Sequence, residues 1–377
     1  MQLFLMEMKK IFSWKIITLI VFVNVVLYFL LIDFDIKHFP NGRPSLDIFR
    51  IEQQIIPKYG ADIDDEEYAD FVEEYKRKVE EANAYLQDDP QAAKVGITTY
   101  EGLRSIYHNE KQMDYRSLVM FEREEDLFWD LQAREYLMEE KYKNRITSLE
   151  SERNRATMAQ QDYFEELLRN QKYSFYTSTV LDNFMNIKGN MAIIIFISIA
   201  ILVSPVYLRD KSTFIELLQY SSKKGRRVYK IKWVAGLVSA VLLTILLFVV
   251  YLSIYATNHT SSHFDLPLYA MDSYSWYELK FWQYIVMSVF SIFIVALILA
   301  ILSMSISAVV ANAIGLIGVQ IVTIFIMIAG VISFLIKGMV SVRFPMWFVP
   351  LGYTLFFGVV LLLMFIVSKR DFRRDVM

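Results

Sequence analysis

The sequence predicts an all-α polytopic membrane protein: six transmembrane helices, with a helical, coiled-coil-like extracellular domain between span 1 and span 2. Three observations predict it. The first is a run of 56 residues, 281–336, without Asp, Glu, Lys or Arg. One helix of that length would reach roughly 84 Å at about 1.5 Å per residue, against a hydrocarbon core of roughly 30 Å, so the run folds back and supplies two spans. The second is four further uncharged runs, 16–32, 189–208, 233–264 and 344–368, each long enough for one helix of about 17 to 25 residues. The third is where positive charge collects. Fifteen Lys and Arg fall in 1–15, 209–232 and 369–377, whereas 257–280 and 337–346 hold only Lys280, Lys337 and Arg343. By the positive-inside rule both termini and the 209–232 loop are cytoplasmic, and the 33–188 insert is extracellular.

In chain order, residues 1–15 form an amphipathic interface helix. Leu5, Met8 and Phe12 share one side, and Glu7, Lys9 and Lys10 lie elsewhere, so it rests along the inner membrane surface. Span one (16–32) follows a charged flank and runs into YFLLIDFD without a small-x-small cleavage pattern, so it stays as a span and is not a signal peptide. The remaining spans are 189–208, 233–256, 281–304, 313–336 and 347–368. Loops 257–280 and 337–346 are outside. The reversal at 305–312 (SISAVVAN) and the tail 369–377 are inside, and small, weakly polar residues interrupt the Ile, Leu and Phe at that reversal.

The insert holds 33 acidic and 21 basic residues, a net of −12, leaving +10 on the other 221 residues, where 18 basic face 8 acidic. Within 64–87 the apolar positions Tyr68, Phe71, Val72, Tyr75, Val79, Ala82 and Leu86 recur at three and four, which predicts a helix capped by Asp62 or Asp64. Asp88, Asp89 and Pro90 end it, and 96–99 connect to a helical segment near 100–108. From 118 to 168, Phe128, Leu131, Met138, Tyr142, Ile146, Leu149, Ala156, Tyr163 and Leu167 keep steps of three, four or seven, like a coiled-coil seam. The crowded charges opposite them (Glu122 to Asp126, Glu139 to Lys141, Glu150, Glu152, Arg153) read either as a solvated face or as an acidic surface receiving a cationic peptide or partner subunit. Cysteine is absent, which rules out disulfides and thiol chemistry and fits a bacterial surface. The tripeptide at 258–260 matches a glycosylation acceptor, a match that short patterns make often.

Enzyme signatures are missing. The sequence has no G-x-x-x-x-G-K-[ST] loop, no H-E-x-x-H and no G-x-S-x-G elbow, so the chain does not hydrolyse ATP alone and carries no cofactor of its own. His259 and His263 form an H-x-x-x-H in a loop, and two ligands do not close a zinc site. No proposed span contains an ionisable residue. Asn24, Asn312 and Gln320 are the strong polar groups, suited to hydrogen bonds between helices. The basic inner rim suits anionic lipid headgroups, and nothing supports nucleic-acid binding.

The loop 209–232, RDKSTFIELLQYSSKKGRRVYKIK, carries a short helix with Phe214, Leu217 and Leu218 on one face, capped by Ser212 or Thr213, then a basic Gly-containing elbow. The leader ending MKKIF, the six spans, the large insert after span one and the E-L-L-x-x-(S/T)-x-x-x-(R) pattern at Glu216, Leu217, Leu218, Ser221 or Ser222, Arg226 or Arg227, and Lys230 or Lys232 resemble ABC-2 type permeases of ATP-binding-cassette transporters. The segment YGADIDDEEYADFVEEY is similar to inserts of Gram-positive members. The resemblance implies a coupling helix whose Phe214, Glu216, Leu217, Leu218 and Gln219 dock on a separate ATPase subunit that holds ATP and Mg, with Lys223, Lys224, Arg226 and Arg227 holding the elbow at the headgroups. It further implies a homodimer or a heterodimer with a related permease in a bacterial cell membrane, and export of a peptide, antibiotic or lipid-like cargo. The short loop between spans five and six departs from members with a re-entrant helical pair. The competing expectation is a membrane-anchored sensor or scaffold whose outer coiled coil binds a ligand or partner.

Overall fold

The computed structural model describes residues 2–106, 109–123, 125–212, 225–310 and 312–372, with side chains described except at 211, 212, 225–227, 371 and 372. In chain order the helices begin with α1 (Gln2–Ile11), α2 (Trp14–Leu31) and α3 (Asp33–Lys37). They continue through α4 (Ser45–Tyr59), α5 (Asp65–Asp88), α6 (Pro90–Val95), α7 (Tyr100–Arg104), α8 (Glu110–Ser117), α9 (Asp126–Tyr136), α10 (Arg145–Arg155) and α11 (Met158–Arg169). They end with α12 (Thr179–Val203), α13 (Pro205–Ser212), α14 (Gly225–Tyr255), α15 (Phe281–Val309), α16 (Ala313–Ile326) and α17 (Phe348–Phe372). Among the described residues the only extended pairing is an isolated bridge between Pro267 and Lys280.

The chain divides into two compact units. A membrane unit comprises Met1–Lys37, Asn183–His259 and Trp282–Met377, and an insert unit comprises His38–Asp182 and Thr260–Phe281. The insert unit is therefore discontinuous: most of the segment expected as a separate short loop, 257–280, belongs to it.

Among the described residues six helical runs are long and apolar enough to cross a membrane: Trp14–Leu31, Thr179–Asp210, Val228–Asn258, Phe281–Val309, Ala313–Ile336 and Phe348–Arg370. The second starts ten residues before its expected beginning at 189, because Phe184 and Ile187 already supply a buried face upstream of the uncharged run. The reversal expected over 305–312 is shorter, since α15 continues to Val309. Ser305 does not break the helix; its hydroxyl donates back to the Ile301 carbonyl four residues earlier (2.8 Å). Asn312 then caps α16, accepting from the Gly315 N–H at 2.7 Å.

The 179–210 helix is the centre of the membrane unit: 72% of its apolar window is buried, against 6% for Trp14–Leu31. Lipid tails are as apolar as Leu, so association between spans rests on close packing and interhelical hydrogen bonds. Buried Ala192, Ala235, Ala240, Ala296 and Ala300 let the helices approach closely. At Gly236 an added Cβ would lie 2.3 Å from the Met304 sulfur. Asn24 donates to Ser198 Oγ (2.8 Å) and accepts from the Tyr251 hydroxyl (3.0 Å), which joins α2, α12 and α14. Ser303 donates to Gln320 Oε1 across the reversal (3.1 Å). Asn24 and Gln320 thus make the interhelical bonds expected of them, while Asn312 serves as a cap.

In the insert unit, α5 starts where its sequence signals it. Asp64 accepts from the N–H groups of Glu66 and Glu67, and Glu67 returns the bond to the Asp64 N–H. Asp89 caps α6, which ends at Gly96 in the left-handed conformation (φ 75°) that glycine adopts without a Cβ penalty. Leu86, Leu103, Val119, Phe128, Trp129 and Leu131 build one core under these helices. The continuous seam expected over 118–168 is divided. π-helical turns at Leu118–Glu122 and Leu137–Lys143 widen it, and Ala156 and Thr157 are extended before Thr157 and Gln160 form a capping box that starts α11. Steps of three and four survive such breaks because each short helix restarts the pattern. Phe128, Leu131, Met138, Tyr142, Leu149 and Leu167 are buried as expected, but Ile146 is exposed and Phe164 takes the inward position beside Tyr163.

Glu52, His263 and Thr177 close the discontinuous unit. Glu52 Oε1 accepts from the Thr177 N–H (2.6 Å) and hydroxyl (2.9 Å), and Oε2 lies 3.1 Å from His263 Nε2. Phe49 stacks on the imidazole, and the Glu52 and His263 side chains are fully buried. Tyr176 adds a bond from its N–H to the Ala270 carbonyl (3.0 Å) and one from its hydroxyl to the Gly60 carbonyl.

Candidate functional site

Phe214, Glu216, Leu217, Leu218, Gln219, Lys223 and Lys224, the predicted docking and elbow residues, lie outside the described residues. Arg226 and Arg227 fall in the first turn of α14. The frame that receives the two ends of this loop is described, and it is built from four alternating charges. Asp210, near the end of α13, pairs with Lys232 in α14, and both are buried. Lys10 of α1 lies 3.9 Å from Asp210 and 2.6 Å from Glu7. Coulomb attraction between such groups grows as water is excluded, and the desolvation it opposes grows with it. The alternation Glu7, Lys10, Asp210, Lys232 gives each buried charge an opposite neighbour.

Local structure explains why Asp210 is there. Pro205 has no N–H and starts α13, so the first turn of that helix needs acceptors from elsewhere. Ser307 of α15 supplies one: its Oγ accepts from the Tyr207 and Leu208 N–H groups (3.3 Å each) while donating to the Ser204 carbonyl. The redirected helix places Tyr207 under Lys232, ring centroid 5.5 Å from Nζ, and packs Tyr207, Tyr229 and Trp233 together.

Helix α1 closes the frame against α14. Met8 and Ile11 pack on the core, and the Ser239 hydroxyl contacts the Met8 sulfur at 3.2 Å. Two positions differ from the amphipathic reading. Glu7, expected on the polar side, is 4% exposed because it holds Lys10; Leu5, expected on the apolar side, is 56% exposed. A cleft of about 750 Å³ opens between α1, the start of α2, α13 and the start of α16, lined by Lys10, Trp14, Lys15, Arg209 and Asp210 among others.

A second polar position escaped the sequence reading. Lys188, assigned to the insert when the apolar run was begun at 189, lies inside α12 and is completely buried. Its ammonium donates to the Tyr284 hydroxyl and to the Ile336 carbonyl (3.1 Å) and sits 4.1 Å from the Tyr284 ring centroid. Among the described residues no carboxylate is within ion-pair distance. The π-helical stretch Met327–Ile336 makes the carbonyl available, since a π turn disturbs the regular pairing of the last helical carbonyls; Leu335 O accepts from Tyr353 there as well (3.1 Å). Lys337 packs on Gly189, where a Cβ would meet its Cε at 2.5 Å. Burial pushes the Asp35 carboxyl up from its usual value, and Lys337 pulls it back. The signal for Lys188 was present: Phe184, Ile187 and Met191, at steps of three and four, continue the apolar face across it.

His259 belongs to the membrane unit and His263 to the insert unit, and His263 Nε2 is engaged by Glu52. Among the described residues no group of three or more His, Cys, Asp or Glu is placed to hold a metal ion. No protein-family profile, curated protein or solved structure matches this chain.

Proposed function

We propose that the chain is the permease subunit of an ABC-2 type transporter, driven by a separate ATPase subunit that docks on the 209–232 loop. The observation that carries this reading is the buried charge frame at the two ends of that loop. Asp210 and Lys232 join the helices that enter and leave it, and Lys10 ties the same point to the amphipathic leader. A loop that transmits force must be anchored rigidly where it enters the membrane unit, and a paired, desolvated charge cluster has few alternative arrangements. The density of Lys and Arg around it supports a cytoplasmic position in a bacterial cell membrane, with both termini inside and the insert unit outside. Pairing with a second permease copy or a related chain, and export of a peptide, antibiotic or lipid-like cargo, complete the proposal.

Purification of the chain from its native membrane in a mild detergent, with mass spectrometry of stoichiometric companions and an ATP hydrolysis assay of the eluate, tests it. The expected result is an ATPase subunit whose recovery is lost in Leu217→Asp. Recovery of the chain alone, without hydrolysis, overturns the reading. A membrane-anchored sensor is the second reading, favoured by an aromatic-lined cavity in the insert unit.

A further inference from the structure

That cavity, of about 130 Å³, lies between α11 and the segment 268–279, both within the insert unit. Its walls include Tyr163, Trp276 and Tyr277, with the Tyr163 and Trp276 ring centroids 6.0 Å apart and tilted by 61°. The charges lining it are Glu166, Lys172 and Glu278, a net of −1. Lys172 is already neutralised by Glu278, and its ammonium lies 5.6 Å from the Tyr269 ring centroid. Among the described residues no hydrogen bond or ion pair engages the Glu166 carboxylate. Burial pushes the Tyr163 phenol up to about 12, a hydrogen bond with the Ser275 backbone pulls it back, and Glu278 and Glu166 add smaller upward contributions. Burial raises Tyr269 likewise, followed by Asp62, which accepts from its hydroxyl at 3.0 Å.

We propose that this cavity binds an organic ammonium group, held among the rings of Tyr163, Trp276 and Tyr277 with Glu166 as its counter-charge. Aromatic faces attract cations through their quadrupole, most strongly where water is excluded, and Trp is the strongest of the three ring types. The arrangement of Lys172 over Tyr269 and beside Glu278 is the same recognition made within the chain, one wall away. A metal ion does not suit the site, because the carboxylates available are two and one is taken by Lys172. A neutral apolar ligand would fill the space among the rings but leave the Glu166 carboxylate without a counter-charge. The site does not depend on the permease reading. The ammonium has two natural sources, a lysine or amino terminus of a peptide and the choline of a lipid headgroup.

The test is calorimetric titration of the full chain, in a maltoside detergent free of choline, with tetramethylammonium chloride. Saturable binding is expected. It should weaken about tenfold in Trp276→Leu and about threefold in the isosteric Glu166→Gln, whose exposed carboxylate is not part of any core. Met158→Ala, at an exposed position of the same helix, should leave it unchanged. Competition with trilysine and with phosphocholine then identifies the source by which of them displaces the probe. No saturation, equal affinity in Glu166→Gln and Met158→Ala, or displacement by neither competitor overturns the proposal.

Discussion

Among the described residues each unit has a buried acid–base pair that joins separate segments, and the two pairs are built differently. In the insert unit, Glu52 is completed by fixed hydrogen-bonding groups: the Thr177 N–H and hydroxyl fill one oxygen, and His263 Nε2 lies against the other. In the membrane unit, Asp210 is completed by charges, Lys232 and, at longer range, Lys10 with its own Glu7. A carboxylate satisfied by fixed backbone and a stacked ring holds a closed domain together. A carboxylate shared between two ammonium groups from other helices is a junction, where α1, α13 and α14 meet at the ends of a loop. The difference teaches that charge burial in this chain serves closure in one place and connection in the other.

The largest expected effect separates the two. Asp210→Ala leaves Lys232 buried without its partner and should destabilise the membrane unit by about 3 to 5 kcal/mol. Replacing both, as Asp210→Leu with Lys232→Met, should recover most of that loss, because the desolvation disappears with the pair. The recovered chain should still lose ATPase association if the junction positions the loop. Glu52→Gln keeps an acceptor for Thr177 and should cost less, about 1 to 3 kcal/mol. Chemical denaturation of the purified chain measures both, with proteolytic sites mapped to assign each loss to its unit. Equal losses for the two carboxylates, or no recovery in the double variant, would break the comparison.

Lys188 tests it from the other side, as a buried lysine completed, among the described residues, only by neutral acceptors, the Tyr284 hydroxyl and the Ile336 carbonyl. A methionine there packs the same stem without a charge to desolvate, so Lys188→Met should stabilise the membrane unit by about 1 kcal/mol or more. Ionisable groups are expensive within a membrane bundle and tend to mark function. On the proposed permease reading, the same variant is therefore expected to lower ATP hydrolysis by the complex with the ATPase subunit. A gain in stability with unchanged hydrolysis would make Lys188 a structural accident.

How far these features were legible follows from what each signal measures. Absence of charge over a span's length has one physical meaning, so the six apolar helices could be read directly, and Asp64 was one of the two caps the sequence offered for α5. Lys188 was lost because a charge was used as a boundary, although the apolar face of α12 runs across it. Glu7 was placed outward because periodicity ranks side chains by polarity and cannot see Lys10 covering it. The union of 260–281 with the insert is made by contacts such as His263 with Glu52 and Tyr176 with Ala270, between residues far apart in the chain, which leave no local trace. The 118–168 segment keeps helical spacing through its breaks, so its pattern does not distinguish one long helix from several short ones.

The smallest expected effects compare one device in the two units. Asp64 caps α5 in the insert unit by accepting from Glu66 and Glu67, and Asn312 caps α16 in the membrane unit by accepting from Gly315. In water an N-cap residue replaced by alanine costs about 1 kcal/mol, because solvent takes over part of the lost bonding. Where water is scarce the orphaned N–H bears its full desolvation penalty, about 1 to 3 kcal/mol. Asn312 is exposed and lies at the reversal directly before α16, so its environment is set by where that reversal sits in the bilayer. If the reversal reaches the aqueous surface, as the permease topology requires, Asp64→Ala and Asn312→Ala should lower stability by similar amounts near 1 kcal/mol in bilayer nanodiscs. A loss at Asn312 two or three times larger would place the reversal within the hydrocarbon and shorten the fourth and fifth spans.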